Sequence, residues 1–174
     1  MQDREDMQDR EDVRDRDSAY SERPNRLPWP PIIYSSAFVL AWALQTNAPL
    51  MPLDQALAMI PKGAGLVAAA AGFGLDLAAM SALIRHRTAI LPNMGSSALV
   101  SSGPYAFSRN PIYLGNTILF VGFAIALRWG WLAIAAPLTM IAVTRLAIMR
   151  EEMHLAARFG QDWQAYSTRV RRWI

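Results

Sequence analysis

Residues 99–115 read LVSSGPYAFSRNPIYLG and join a polar, turn-forming segment to the start of a long apolar run at Ile112. The polar and aromatic side chains of this stretch include Tyr105, Arg109, Asn110 and Tyr113. Packing alone does not require these polar and aromatic side chains at the edge of an apolar run. We interpret the stretch as the floor of a binding site that Glu151 and Glu152 complete after the next apolar hairpin.

Four apolar runs predict an all-α, polytopic membrane protein with about four transmembrane helices. They cover residues 32–44, 63–84, 112–127 and 131–149. The second is long enough for a hydrocarbon layer of roughly 30 Å, and the three-residue link between the last two predicts a tight helical hairpin. Gly65, Gly72 and Ala79 recur every seven residues, which predicts a face that lets another helix come close. A soluble bundle of very apolar helices is the alternative, but the chain is too short to bury them.

The charges predict the organisation of the chain and its orientation. Residues 1–27 carry six arginines and nine acids, with a near-repeat of MQDRED, and we expect a disordered, charged tail. Residues 28–174 form the membrane domain. If the tail is cytoplasmic, residues 85–109 and the arginine-rich carboxyl end lie on the same side of a bacterial inner membrane, and both termini are cytoplasmic.

Composition excludes several classes of function. With no cysteine and two histidines, the chain offers no thiol nucleophile, and we expect no metal site. Its arginines flank apolar runs, which suits membrane lipids rather than nucleic acid. Residues 72–74, Gly-Phe-Gly, lack the third glycine and the strand of a dinucleotide loop, so helix packing explains them better.

The carboxyl-terminal region predicts a helix that ends at Gly160 and an amphipathic helix beyond it. Trp163, Tyr166, Val170 and Trp173 fall on one face, as in a helix lying on a bilayer surface.

Three charged features permit both structural and functional interpretations. Asn110 and Pro111 suit the start of a helix, whose amides, with Arg109 beside them, also attract an anionic group. Glu151 and Glu152 either form a solvated pair with Arg150 or Arg158 as partners, or hold a cationic or polyhydroxyl ligand. Inside the second and fourth runs, Asp76 and Arg145 are expected to pair or to point at one cavity.

The two motifs resemble those of the integral-membrane methyltransferases, a group that includes isoprenylcysteine carboxyl methyltransferases and phospholipid methyltransferases. The similarity covers residues 63–174 and consists of GPYAFSRNPIYLG at 103–115, then Glu151 and Glu152 with Leu155, then Phe159 and Gly160 with Trp163 and Tyr166. The family commonly has histidine where this chain has Asn110, which cannot exchange a proton. Four spans suggest a compact, bacterial-type member.

The resemblance implies an S-adenosylmethionine pocket at the cytoplasmic face. Its cofactor-binding residues would be Gly103, Pro104, Tyr105, Arg109, Asn110, Pro111, Tyr113, Glu151 and Glu152, and Gly72 and Gly74 resemble more weakly a glycine pair of the phospholipid enzymes. Arg109, Asn110 and Glu151 would act in catalysis. A lipophilic acceptor would enter from the bilayer into a cleft between the second and fourth spans.

The resemblance therefore implies an S-adenosylmethionine-dependent methyltransferase that acts on a lipophilic or lipid acceptor through a carboxylate or another nucleophile. Two alternatives stay open: a phospholipid amine N-methyltransferase, and a non-catalytic membrane scaffold that retains the fold. The sequence does not determine the oligomeric state.

Overall fold

The computed structural model describes residues 29–88 and 96–174, so the predicted disorder of residues 1–27 lies outside the described residues. The helices are α1 (Trp29–Asn47), α2 (Met51–Ala58), α3 (Lys62–Arg85), α4 (Pro111–Leu127), α5 (Gly130–Val143) and α6 (Met149–Arg169). A 3₁₀ turn, Gly103–Ala106, precedes α4, and a π-helical turn, Thr144–Ile148, joins α5 to α6. Within these described segments there is no strand, which confirms the all-α prediction.

Two helical segments of the described chain are long and apolar enough to cross a membrane. One is α3, and the other is the continuous helix Gly130–Arg169 that comprises α5, the π turn and α6. The shorter α4 is also apolar, with 17 residues. These lengths and compositions support a membrane protein.

Glycines bring α3 and α4 into unusually close contact. A Cβ added to Gly65 would lie 2.6 Å from the amide nitrogen of Ala126, and one added to Gly72 would lie 2.7 Å from that of Leu119. On the facing helix, Gly115 and Gly122 have no room for a side chain either. The predicted small-residue face is therefore confirmed, because the two backbones meet where side chains are missing.

A polar cluster at the opposite end from residues 99–111 fixes the hairpin between α4 and α5. Arg128 adopts a left-handed conformation (φ 59°) and ends α4. The Asp54 carboxylate accepts a 2.7 Å bond from the Gly130 amide at the start of α5, and a 2.8 Å bond from Gln45. The tight hairpin predicted from the short link is confirmed, and α1 and α2 are tied to it.

The helix break predicted at Gly160 is confirmed, and a second helical segment follows it. Gly160 has φ 49° and ψ −116°, after which the helix resumes and runs to Arg169. It resumes because Trp163, Tyr166 and Val170 are buried against apolar residues that include Leu99. The apolar face thus has a protein partner, and a helix whose apolar face rests on lipid is not confirmed.

Candidate functional site

The start of α4 forms a polar corner that the carboxyl-terminal segment holds in place. The Arg109 amide donates a 3.0 Å bond to the Arg171 carbonyl, while the Asn110 side chain donates a 3.0 Å bond to the carbonyl of Arg172. Asn110 occupies the N-cap position of α4, but its side chain makes no capping bond. The side chain of Asn110 therefore anchors the end of the chain instead of capping the helix.

The acidic doublet at the start of α6 faces this corner. Glu151 accepts a 2.6 Å hydrogen bond from the Tyr113 hydroxyl. Glu152 forms an ion pair of 3.3 Å with Arg109, and the Arg172 guanidinium donates to both of its carboxylate oxygens. The two sequence motifs therefore meet.

The partners of the doublet differ from the solvated pair considered above. They are Tyr113, Arg109 and Arg172, and neither Arg150 nor Arg158 pairs with either glutamate. Sequence reasoning missed Arg172. Arg172 lies in an arginine-rich segment, and nothing in the sequence indicates which residue it contacts. The break at Gly160 determines which part of the protein this segment reaches.

Aromatic side chains build the wall beside the corner. The Arg109 guanidinium carbon lies 5.5 Å from the centre of the Trp163 ring, within the range of a cation–π interaction. The hydroxyl of Tyr166 donates a 2.8 Å bond to the carbonyl of Tyr105 in the 3₁₀ turn. These contacts fix the turn that also contains Gly103 and Pro104.

The carboxylate of Glu151 has an electrostatic environment that disfavours its charge. Glu151 lies beyond the apolar run 131–149, yet burial raises its pKa from 4.5 to about 7. The hydrogen bond from Tyr113 lowers this pKa, and the charge of Glu152 raises it. Glu151 therefore titrates near neutral pH.

Two carboxylates on different helices affect the pKa of the Tyr105 phenol. Its pKa is raised, first by burial, then by Tyr166, and further by the negative charges of Glu151 and Asp76. The carboxylate on α3 and the first glutamate of the doublet therefore act on the same hydroxyl group.

Two buried polar atoms near the corner have no hydrogen-bond partner in the described part of the chain. They are Nε of Arg109 and Oδ1 of Asp76. The expected pair between Asp76 and Arg145 does not form, because Arg145 is exposed on the π turn while Asp76 is buried. A free donor and a free acceptor, both buried, are what a ligand with groups of opposite charge would satisfy.

The two glycines of the weaker match have different surroundings. Gly72 is filled by the approach of α4, whereas a Cβ on Gly74 would meet nothing within 4 Å. Gly72 serves helix packing, as its spacing also suggested.

The acceptor cleft was expected between the second and fourth predicted spans, which correspond to α3 and α5. The helix α4 packs against both α3 and α5, so it lies between the two helices that were expected to border the cleft. Elsewhere in the described residues, an apolar cavity of about 380 Å³ lies between α1 and α5. Its lining includes Ile33, Ala37, Ala41, Trp131, Ala135 and Thr139.

Comparison with known proteins agrees with this geometry. The family model for phospholipid methyltransferases matches residues 61–162, which contain residues 103–115, the hairpin and the acidic doublet. No curated protein and no solved structure matches the chain significantly. The match covers more than half of the 174 residues, and the chain belongs to the phospholipid methyltransferase family.

Proposed function

We propose that the protein is an S-adenosylmethionine-dependent methyltransferase whose acceptor is lipophilic and enters from the membrane. Family membership implies a membrane methyltransferase. The observation that carries the finer proposal is the convergence of the Arg109 corner with the acidic doublet, through the Arg109–Glu152 pair and the Tyr113–Glu151 hydrogen bond.

The residues at this convergence fit the chemistry of the cofactor. S-adenosylmethionine carries a carboxylate, an ammonium group, ribose hydroxyls and a sulfonium. The buried Nε–H of Arg109 has no acceptor among residues 29–88 and 96–174, which suits the carboxylate. Glu151 and Glu152 suit the ammonium group and the hydroxyls, and Tyr105 and Tyr113 offer aromatic faces to a sulfonium.

The bound cofactor supplies an electrophilic methyl group, and the chain supplies alignment. The bond from Tyr113 holds Glu151 in one orientation, and the ion pair between Glu152 and Arg109 ties α6 to the start of α4. Gly103, Pro104 and Asn110, together with Pro111, shape the wall of the corner. For an in-line displacement, such positioning and the exclusion of water are the main contributions that a protein makes.

The proposed topology has four spans: α1, α3, α4 and the apolar part of the helix that begins with α5. Arg85, Arg109 and Arg158 then lie on the cytoplasmic side, together with both termini, and Lys62 and Arg128 lie outside. This arrangement places the corner at the cytoplasmic face of a bacterial inner membrane, within reach of a soluble cofactor.

Two other functions remain as competing proposals. A phospholipid amine N-methyltransferase shares the site and differs in its acceptor. A non-catalytic scaffold would keep the fold and lack cofactor binding.

Binding of S-adenosylhomocysteine, the demethylated product of the cofactor, tests the proposal. We expect it to raise the melting temperature of the detergent-solubilised protein, and Glu151→Gln to abolish the rise while the protein stays folded. Asp162→Asn is the matched control, since Asp162 is an exposed acid on the same helix. No rise at saturating ligand in the folded wild-type protein contradicts the proposed function.

A further inference from the structure

Asp76 is a carboxylate on the buried face of an apolar, membrane-length helix. Its side of α3 contains Gly65, Ala69, Gly72 and Ala79, all of them small and buried. Asp76 itself is only 9% exposed. An ionisable group at such a position is costly and marks a functional site by default.

The neighbouring helix leaves space for this carboxylate. A Cβ added to Gly115 of α4 would overlap the Oδ1 and Cγ atoms of Asp76. Gly115 lies one helical turn after Pro111, so Asp76 lies on the membrane side of the Arg109 corner. The close approach of the two helices thus fixes the position of Asp76 and restricts the conformation of its side chain.

Packing alone does not account for Asp76. Its buried Oδ1 accepts no hydrogen bond in the described residues, and the structure gives it no ion pair. A purely structural carboxylate would be expected to have a donor, because an unpaired buried charge destabilises the fold. Tyr34 of α1 and Tyr105 of the 3₁₀ turn are among the titratable groups that interact with it electrostatically. Tyr105 also interacts with Glu151, so Asp76 belongs to the same polar region.

We propose that Asp76 contacts the methyl acceptor and takes a proton from its nucleophilic atom. This inference rests on the proposed function and narrows it, because it requires an acceptor that bears a proton on its nucleophile, as an amine or a thiol does and a carboxylate does not.

The proton transfer completes the balance of the reaction. The proton leaves the nucleophilic atom X for a carboxylate oxygen of Asp76, and the lone pair left on X forms the X–C bond. The methyl–sulfur bond breaks, its electron pair stays on sulfur, and the sulfonium becomes a neutral thioether. The proton on Asp76 then passes to water. Asn110 cannot exchange a proton, so a different group must accept the proton from the nucleophilic atom.

The test uses three acceptor probes with the same chain: dodecylamine, dodecanethiol and dodecanoate. Their binding to the full-length protein saturated with S-adenosylhomocysteine is measured in detergent for wild type, Asp76→Asn and Ser81→Ala. Ser81 is the matched control, because it is an exposed polar residue on the same helix. Asp76→Glu tests whether a carboxylate that is one methylene longer restores binding.

We expect wild type and Ser81→Ala to bind dodecylamine or dodecanethiol more tightly than dodecanoate. Asp76→Asn should lose this preference, with an affinity lower by about tenfold or more, and keep its affinity for S-adenosylhomocysteine. For a protic probe that is methylated, the rate should fall by about 100-fold or more in Asp76→Asn, the usual effect of losing a general base.

The inference is overturned if the wild-type complex binds neither protic probe, if it prefers dodecanoate, or if Asp76→Asn binds all three probes like wild type. Failure of S-adenosylhomocysteine to bind wild type is a different result, and it contradicts the proposed function itself.

Discussion

The hydroxyl of Tyr113 donates a 2.6 Å hydrogen bond to the carboxylate of Glu151, although 38 residues separate them in the sequence. The bond joins the first turn of α4 to the first turn of α6, across the whole α4–α5 hairpin. It therefore reports directly on whether the two motifs of the candidate site are assembled.

Removing this bond should weaken both the fold and the site. Tyr113→Phe leaves the ring in place but deprives Glu151 of its donor, which should lower the free energy of unfolding by about 1.5–3 kcal/mol. Affinity for S-adenosylhomocysteine should fall as well, because Glu151 loses its fixed orientation. Thermal unfolding and isothermal titration calorimetry in detergent measure the two effects. Unchanged affinity would show that Glu151 does not hold the ligand.

The titration of Glu151 should make stability and binding depend on pH in opposite directions. Because the folded state raises the pKa of Glu151 from 4.5 to about 7, it keeps a proton that the unfolded chain has released. The contribution of Glu151 to stability is therefore largest at low pH and decreases as pH rises through this interval. Affinity for a cationic ligand should rise over the same interval, as the carboxylate becomes charged.

Melting temperatures with and without S-adenosylhomocysteine across this pH interval test the prediction for Glu151. In Glu151→Gln, the pH dependence of stability and the pH dependence of ligand affinity should both lose the contribution of Glu151. A variant that retains the full pH dependence of ligand binding would assign that dependence to another group.

The two arginines that contact Glu152 should have opposite effects on ligand affinity. The Nε of Arg109 has no partner within the described segments, and Arg109 is proposed to bind the cofactor carboxylate, so Arg109→Ala should reduce affinity by about tenfold or more. Arg172 has a half-exposed side chain that competes for Glu152, so Arg172→Ala should increase affinity and change stability by less than about 1 kcal/mol. Calorimetric titration distinguishes the two variants. A loss of affinity in Arg172→Ala would mean that Arg172 belongs to the binding site.

The glycine contacts between α3 and α4 should be sensitive to a single methyl group. Gly72→Ala forces the two backbones apart and should destabilise the protein by about 1–3 kcal/mol. Gly74→Ala, two residues away on the same helix, meets nothing within 4 Å and should be neutral or stabilise the helix by up to about 1 kcal/mol. Thermal unfolding compares the pair. Equal melting temperatures would contradict the close approach of the helices.

The chain contains no cysteine, so single cysteines can test the proposed four-span topology. Arg85→Cys and Arg158→Cys should be protected from a membrane-impermeant maleimide in intact bacterial cells and react after lysis. Lys62→Cys and Arg128→Cys should react in intact cells, because the proposed topology places them outside. All four positions are exposed in the structure. Labelling of all four from one side would rule out this topology.

Local patterns predicted much of the fold. The apolar runs predicted helices, the short link at Arg128 predicted the hairpin, and Gly65 and Gly72 predicted close helix packing. These features depend on residues near one another in sequence, where periodicity and turn chemistry are informative.

The sequence predicted the break at Gly160 and a helix beyond it, but it could not predict the partners of the acidic doublet or the surface on which that helix packs. Gly160 has the positive φ that stops a helix, but burial of Trp163 and Tyr166 against residues of the preceding loop restarts it. Because of that burial, Arg172 contacts Glu152, which lies 20 residues earlier in the sequence. Such contacts depend on tertiary packing, which no local pattern encodes.

By itself, the sequence determined an all-helical chain with membrane-length apolar helices, and it identified the Arg109 corner and the acidic doublet as candidate site residues. Tertiary structure alone decided that Tyr113 and Arg109 reach the doublet and that Asn110 anchors the carboxyl-terminal segment instead of capping α4. It also decided that Asp76 has no ionic partner among the described residues. The physical reason is distance along the chain. Hydrophobic periodicity fixes each helix locally, whereas ion pairs and buried polar atoms depend on which helices come into contact.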